Sequence, residues 1–333
     1  MTRIVRQDEV PALLPMEECV EAVEAALRAL AGGDALQPLR RAMRLPDSSG
    51  LLGLMPAHLG PPRAVGVKVV TVMPGNHGTE LDAHQGAVLL FEAERGRLLA
   101  VVDASSITAI RTGAASAVAT RELAREDAGD LALLGSGVQA ASHLEAMGTV
   151  RPIRRVRVWS RTFENARSFA ERQRERRGVE IEAVASAREA AEGADVVCTT
   201  TSATEPVLEG AWLAAGAHVN AVGACVPTAR ELDTEAVARS RLFVDRRESA
   251  LAEAGDLLIP LEEGAVDEDH VVAEIGDVLT ESAPGRESDE EITVFESLGL
   301  GIYDLAAAHR VLRNAKERNA GTAIELGGRR VEP

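Results

Sequence analysis

The chain has 333 residues, 46% of them hydrophobic but only 2% aromatic, with 36 Lys and Arg against 52 Asp and Glu for a net charge of -16. That length supports two cores rather than one. The negative far field argues against nucleic acid and anionic lipid as partners, and with so few aromatics nothing suggests stacking on bases. Any anionic ligand must meet a local cluster of cations, so Lys and Arg isolated within apolar segments are the positions to watch.

Cys19, Cys198 and Cys225 show neither paired nor metal-like spacing. A reduced, cytoplasmic setting is expected, with no disulfide framework and no metal. The start, MTRIVRQDEV, lacks the apolar core of a signal peptide, and no apolar run is long enough to cross a bilayer, so no membrane partner is expected.

In chain order, MEECVEAVEAALRALA after Pro15 puts Val20, Val23, Ala26, Leu27 and Leu30 on one helical face. Strand-like pieces follow: LRRAMRL, GLLGLM, AVGVKVVTVM, GAVLLFEAE and RLLAVVD, separated in places by LGPPR and MPGN. The turn in EAERGRL predicts an antiparallel hairpin, and this lobe reads as a mostly antiparallel sheet with helices. SSITAIRTGAASAVATREL predicts a helix capped by Ser105 or Ser106. Beyond it, LALLG, VRVWS, IEAV, DVVCTTT, AHVNAVG and RLFVD alternate with helical stretches. Strands that are apolar without alternation are covered on both faces, so the fold class is α/β with a Rossmann-type, doubly wound parallel sheet. VFESLGLGIYDLAAAHRVLRNAK adds a strand and a helix that would return to the first lobe, and ESDEE at 287–291 reads as a solvated loop.

The stretch LALLGSGVQAASHLEAM fits the GxGxxA form of the dinucleotide fingerprint, with Gly135, Gly137 and Ala140 at its three places. Amides of Val138 and Gln139 at the helix start would face phosphates, with the helix dipole behind them. The end of the next strand reads Trp159, Ser160, Arg161, Thr162, with no acid to accept from ribose hydroxyls. A cation and two hydroxyls suit a 2′-phosphate, so NADP(H) is expected, with NAD(H) as the alternative. The plainer reading of Arg161 is an exposed arginine before a helix capped by Thr162. Thr200 and Thr201 follow DVVC at the carboxyl end of the sheet, where a cofactor crosses, and Thr112 and Val222 join the expected cofactor-binding set.

Two cations stand alone in apolar company. Lys68 lies inside VGVKVVTV, where it either meets an anion or snorkels from a sheet edge. Arg111 interrupts ITAIRTGAASA, where its fork matches a carboxylate or pairs with an acid such as Asp103.

QPLRR (37–41), GLLGLMPAHL (50–59), VGVKVVTVMPGN (65–76), residues 84–120, LLGSGVQAASHLEAM, VWSRT and AVGACVPTARELD (221–233) occur in the order found in the ornithine cyclodeaminase and mu-crystallin family. The chain resembles that family over about residues 8–315, and most resembles its ketimine reductases. The resemblance implies a homodimer and small amino or imino acid substrates. It implies that residues 1–120, joined by 302–333, form a substrate-binding and dimerisation lobe, and residues 121–301 an NADP(H)-binding Rossmann domain. It also implies that Lys68, Arg40 and Arg111 hold the substrate carboxylate, although Arg41 beside Arg40 leaves that register open.

The cyclodeaminases of the family resemble one another in a segment of the type GGDCPG, and tend to carry an acid before their LMP segment. This chain has GACVP, with Cys225 at the aspartate's place, and Gly53 before LMP. Cys225 is expected to line the substrate site rather than act as a nucleophile. The expected activity is NADPH-dependent reduction of small cyclic ketimine carboxylates, with Lys68 catalytic. The alternatives are a cyclodeaminase or amino-acid dehydrogenase using NAD+, and an NADPH-binding structural or ligand-sequestering protein. His84 either orients substrate or ends a loop, and Asp304 in GIYDLAAA either caps or faces the cleft and is left unassigned.

Overall fold

A computed structural model describes residues 1–47, 49–76 and 79–328. Two compact units divide the chain: Met1–Arg111 with Leu300–Pro333, and Thr112–Gly299. Residues 329–333 of the expected C-terminal addition lie outside the described residues.

The first unit is built on a mixed sheet of β1 (Thr2–Val5), β2 (Ala35–Leu36), β3 (Arg41–Arg44), β4 (Leu51–Leu59), β5 (Ala64–Val72), β6 (His84–Glu92) and β7 (Leu98–Asp103), with a short strand Thr322–Ile324 beside β1. β1 runs parallel to β7, and the other pairings are antiparallel, including the β6–β7 hairpin expected at EAERGRL. Alternation along β5 is clear: Ala64, Gly66, Lys68 and Val70 are buried, while Val65, Val67 and Val69 are more exposed. The helix Gly301–Glu317 packs on β4, β5 and β6 and on the helix Met16–Ala31. The latter buries Val20, Val23, Ala26, Leu27 and Leu30, the face its spacing predicts.

The helix over Ala104–Leu123 forms, but its cap differs from expectation. Asp103 Oδ1 accepts from the Ser106 backbone N–H at 2.8 Å. The hydroxyls of Ser105 and Ser106 instead donate to the carbonyls of His84 and Gln7. A carboxylate at the end of β7 already occupies the capping position, so neither serine is needed there.

The second unit contains a wholly parallel sheet of β8 (Asp130–Leu134), β9 (Arg155–Trp159), β10 (Glu180–Ala183), β11 (Val196–Thr199), β12 (His218–Ala221), β13 (Arg241–Val244), β14 (Val271–Glu274) and β15 (Thr293–Glu296), in the order β10-β9-β8-β11-β12-β15-β13-β14. Strands β11, β12 and β15 are buried at every position, whereas the edge strands β10 and β14 alternate. The order reverses between β8 and β11, which is the switch point of a doubly wound fold. One buried polar chain in this core runs through His143. The Gln139 carbonyl can only accept, so His143 Nδ1–H donates to it at 2.7 Å, and Nε2 then accepts from the Ser116 hydroxyl at 2.9 Å. Burial pushes that imidazole's pKa down to about 4, so it is neutral at pH 7.

The turn from β8 into the helix Val138–Val150 is set by two glycines with different duties. Gly135 has φ +123, and a Cβ there would lie 2.6 Å from Thr200 Oγ1 and 2.8 Å from the Thr200 carbonyl oxygen. Gly137 has an ordinary φ of -88, and a Cβ there would meet nothing within 4 Å. Gly135 is therefore required by the fold, and Gly137 is not. Gly135→Ala should lower the apparent unfolding midpoint by the equivalent of roughly 1–3 kcal/mol, while Gly137→Ala leaves it within experimental error. Equal effects in thermal unfolding would contradict this division.

Candidate active site

Lys68 is inward-facing because of its register in β5, between Met55 of β4 and Val88 of β6. It does not snorkel: the residue is 3% exposed. Its Nζ lies 3.2 Å from Oδ1 and 3.0 Å from Oδ2 of Asp304, with Thr108 Oγ1 at 3.4 Å. Asp304 stands in the first turn of the helix Gly301–Glu317, where the dipole favours a negative charge, and is 0% exposed. The same Oδ1 accepts from Arg111 Nε at 3.0 Å. Arg111 is buried too, and its partner is Asp304 rather than Asp103, which is occupied as a helix cap.

One carboxylate is thus shared by two buried cations, which leaves one surplus positive charge. Burial pushes the Lys68 pKa down to about 8; Asp304 opposes the shift, while the charges of Arg111 and Arg40 add to it. Arg40 immediately precedes β3 and is half-buried, whereas Arg41 is exposed. A guanidinium that commits Nε–H to Asp304 still carries four further N–H donors in a plane. Its geometry suits a second carboxylate.

The second unit gathers the sequence-predicted cofactor residues at the carboxyl ends of neighbouring strands. The Gly135 backbone N–H donates to the Trp159 carbonyl at 2.9 Å, which ties the fingerprint turn to the end of β9. Ser160, Arg161 and Thr162 follow there, and Arg161 and Thr162 are exposed. Thr162 holds the N-cap position of the helix Phe163–Arg177 but makes no side-chain capping bond. Thr200 and Thr201 follow β11, and Val222 follows β12. Thr112 is 7% exposed in the helix Ala104–Leu123.

Three observations fit this turn to a dinucleotide. Gly137 is the N-cap of its helix without a side-chain cap, so nothing on the side chain competes for the first amides. The space over Gly137 is open. Among the described residues, Gln139 Oε1 is buried with no hydrogen-bond partner. No acid lies between Trp159 and Thr162, so nothing in that stretch repels a phosphate.

Sequence reasoning missed two anchors. Asp304 stayed open between a cap and the cleft, with no partner named for it, and Glu231 looked like one acid in TARELD. Glu231 is 0% exposed; Oε1 accepts from the Thr201 backbone N–H and hydroxyl, each at 2.6 Å, and Oε2 from the Gly223 N–H at 2.7 Å. It joins the loops after β11 and β12. Asp256 Oδ1 in turn accepts from the Glu231 and Leu232 backbone N–H groups, each at 2.8 Å. Burial raises the carboxyls of Glu231, Asp256 and Glu296, and their mutual repulsion adds to it for Asp256 and Glu296. The signal was a carboxylate beside a Thr-rich strand end, legible only once the loops had met. Cys225 is half-buried in the loop after β12, its Sγ 3.4 Å from the Val222 carbonyl. His84 is exposed at the start of β6. Among the described residues no His, Cys, Asp and Glu group is arranged to hold a metal ion, and no helix is long and apolar enough to cross a membrane.

Known proteins resemble this chain over most of their length. The chain is 43% identical over 279 residues to the ketimine reductase mu-crystallin of Mus musculus, covering 84% of this chain and 85% of that protein. The structure of Thermococcus litoralis Delta(1)-pyrroline-2-carboxylate reductase in complex with NADH and L-proline superimposes with a TM-score of 0.94 at 39% identity, covering 97% of this chain and 100% of that one. An archaeal alanine dehydrogenase dimer with bound NAD does so with a TM-score of 0.92 at 37% identity, covering 98% and 99%. The chain is accordingly an oxidoreductase of the nicotinamide-dependent kind. It belongs to the ornithine cyclodeaminase/mu-crystallin family, whose model matches residues 1–319.

Proposed function

We propose that the protein reduces small cyclic ketimine carboxylates, pyrroline-2-carboxylate or piperideine-2-carboxylate, to proline or pipecolate with NADPH. The observation that carries this reading is the surplus positive charge of Lys68 and Arg111 around Asp304. A buried cation without a counter-ion is costly. A substrate carboxylate supplies one, and Arg111 grips it in its plane while Lys68 and Arg40 add their charge. Cys225 is assigned to the substrate's surroundings.

Gly135, Gly137, Val138, Gln139 and Ala140 are assigned to the diphosphate, and Ser160, Arg161 and Thr162 to the adenosine 2′-phosphate. Thr112, Thr200, Thr201 and Val222 are assigned to the remainder of the cofactor. When bound, the reduced nicotinamide supplies a hydride. The residues of this chain contribute position and charge. Holding the imine by its carboxylate fixes the C=N carbon, an advantage of proximity rather than of covalent catalysis. Lys68 can give a proton to the imine nitrogen, because a pKa of about 8 leaves it charged yet close to titration at neutrality. That role requires the rate to fall as pH rises through about 8. Neither Gly53 nor Cys225 offers a carboxylate for a second substrate amine, which disfavours cyclodeamination.

A second reading, an amino-acid dehydrogenase using NAD+, is favoured by the alanine dehydrogenase neighbour and by the NADH and NAD bound in the solved relatives. We prefer NADPH because a cation and two hydroxyls stand where a carboxylate would select NADH. The three free cysteines suit the cytoplasm proposed for the protein.

We further propose a homodimer through the outer face of β4, β5 and β6. Leu54, Pro56, Val67, Val69, Leu89 and Phe91 form a contiguous apolar patch there, registered across the three strands and partly exposed. Such a patch on a lone chain calls for a partner.

Purified protein should oxidise NADPH in proportion to added pyrroline-2-carboxylate or piperideine-2-carboxylate, followed at 340 nm, and faster than NADH at equal concentration. Arg111→Met should lower kcat/KM by about 100-fold or more, the size expected for one lost partner of a buried charge pair. Oxidation of alanine or proline with NAD+ and no reduction of any imine would favour the second reading. Sedimentation should give twice the chain mass for the wild type and one chain mass for Leu89→Arg; a monomeric wild type would sink the dimer.

A further inference from the structure

We propose that Asp304 is a positioning residue, whose single buried carboxylate sets both the place and the protonation state of Lys68 and holds Arg111 beside it. The proposal rests on the reading of this cluster as the substrate-carboxylate site. Asp304 touches both cations: 3.0 and 3.2 Å separate its oxygens from Lys68 Nζ, and 3.0 Å separates Oδ1 from Arg111 Nε. The carboxylate is 0% exposed, so water does not screen these contacts. It reaches Lys68 from the helix Gly301–Glu317, more than two hundred residues away in sequence. A helix packed on β4, β5 and β6 therefore governs a side chain on β5.

The physical argument lies in what Lys68 would be without it. The neighbours of its ammonium in β4 and β6 are Met55 and Val88, which carry no charge. From the helix Ala104–Leu123 it meets Arg111 and the Thr108 hydroxyl, and from the approach to β3 the charge of Arg40. Cys19, on the helix Met16–Ala31 near Asp304 and Arg111, is pushed up to about 12 by burial and stays a neutral thiol. Burial, Arg111 and Arg40 all favour the neutral amine, and Asp304 alone opposes them. Removing its charge leaves burial, Arg111 and Arg40 to lower the Lys68 pKa further. The neutral amine so favoured neither attracts a carboxylate nor carries a proton to give. Asp304 also fixes the orientation of Arg111 through Nε, which decides where the rest of the fork points.

The test compares wild type, Asp304→Asn and Asp304→Glu. Binding of pyrrole-2-carboxylate, a planar carboxylate that cannot be reduced, is measured by calorimetry from pH 6 to 9.5, alongside the pH profile of imine reduction. Thermal unfolding and NADPH fluorescence report the folded state. For the wild type, affinity should fall as pH rises through about 8. In Asp304→Asn that midpoint should move down by one pH unit or more, with kcat reduced at least tenfold and NADPH binding unchanged. Asp304→Glu restores the charge but displaces it, so its midpoint should return toward the wild type while kcat stays reduced. If Asp304→Asn does not fold, Asp304→Glu carries the test alone. An unshifted midpoint in Asp304→Asn, or full turnover in Asp304→Glu, would overturn the proposal. A wild type that binds the analogue with this pH dependence but reduces no imine would refute the proposed reaction and leave the role of Asp304 standing.

Discussion

The central constraint on this molecule is charge neutrality in a dry place. Two cations, Lys68 and Arg111, are buried with one carboxylate, Asp304, between them. The ammonium and guanidinium cannot both be balanced by it, and the low-dielectric surroundings make the residue of charge count for several times what it would in water. The chain as a whole is strongly negative, so this local surplus of positive charge stands against the far field. The position of Asp304 and its two cations is set by three elements: the central strand β5, the helix that follows β7, and the helix Gly301–Glu317.

The two units solve separate problems by separate means. In the parallel sheet, strand ends bring glycine, hydroxyl and amide groups together, with the loops after β11 and β12 joined by the buried Glu231. The space over Gly137 is open and the helix start carries no side-chain cap, which leaves backbone amides exposed there. In the mixed sheet, alternation does the work. One face of β5 buries Lys68 with Gly66 and Val70, and the opposite face leaves Val67 and Val69 for contact. A one-residue slip would exchange these two sets, so a single register fixes both the charge site and the apolar patch.

Much of this was legible in the sequence because it follows from local pattern. The 3.6-residue spacing of Val20, Val23, Leu27 and Leu30 specified a buried helix face, and unbroken apolar runs such as DVVC specified strands covered on both sides. The glycine fingerprint and its strand-turn-helix context were readable for the same reason. Lys68 and Arg111 stood out as misfits in apolar company. Their pairing with Asp304 did not, since an aspartate in GIYDLAAA could equally cap or face the cleft until tertiary folding carries it to β5. Glu231 was hidden in the same way, its three donors lying on loops after two different strands. The helix cap was misread because Ser105 and Ser106 are good capping residues by type, whereas the Asp103 carboxylate stood one turn ahead.

The central claim is that the charge surplus around Asp304 is the grip for a substrate carboxylate. It is met most directly by a crystal structure of the NADPH complex with pyrrole-2-carboxylate bound. The account requires the carboxylate oxygens within hydrogen-bond distance of the Arg111 guanidinium and of Lys68 Nζ, with Asp304 still touching both. A carboxylate seated elsewhere, with Lys68 and Arg111 bound only to Asp304, would contradict it.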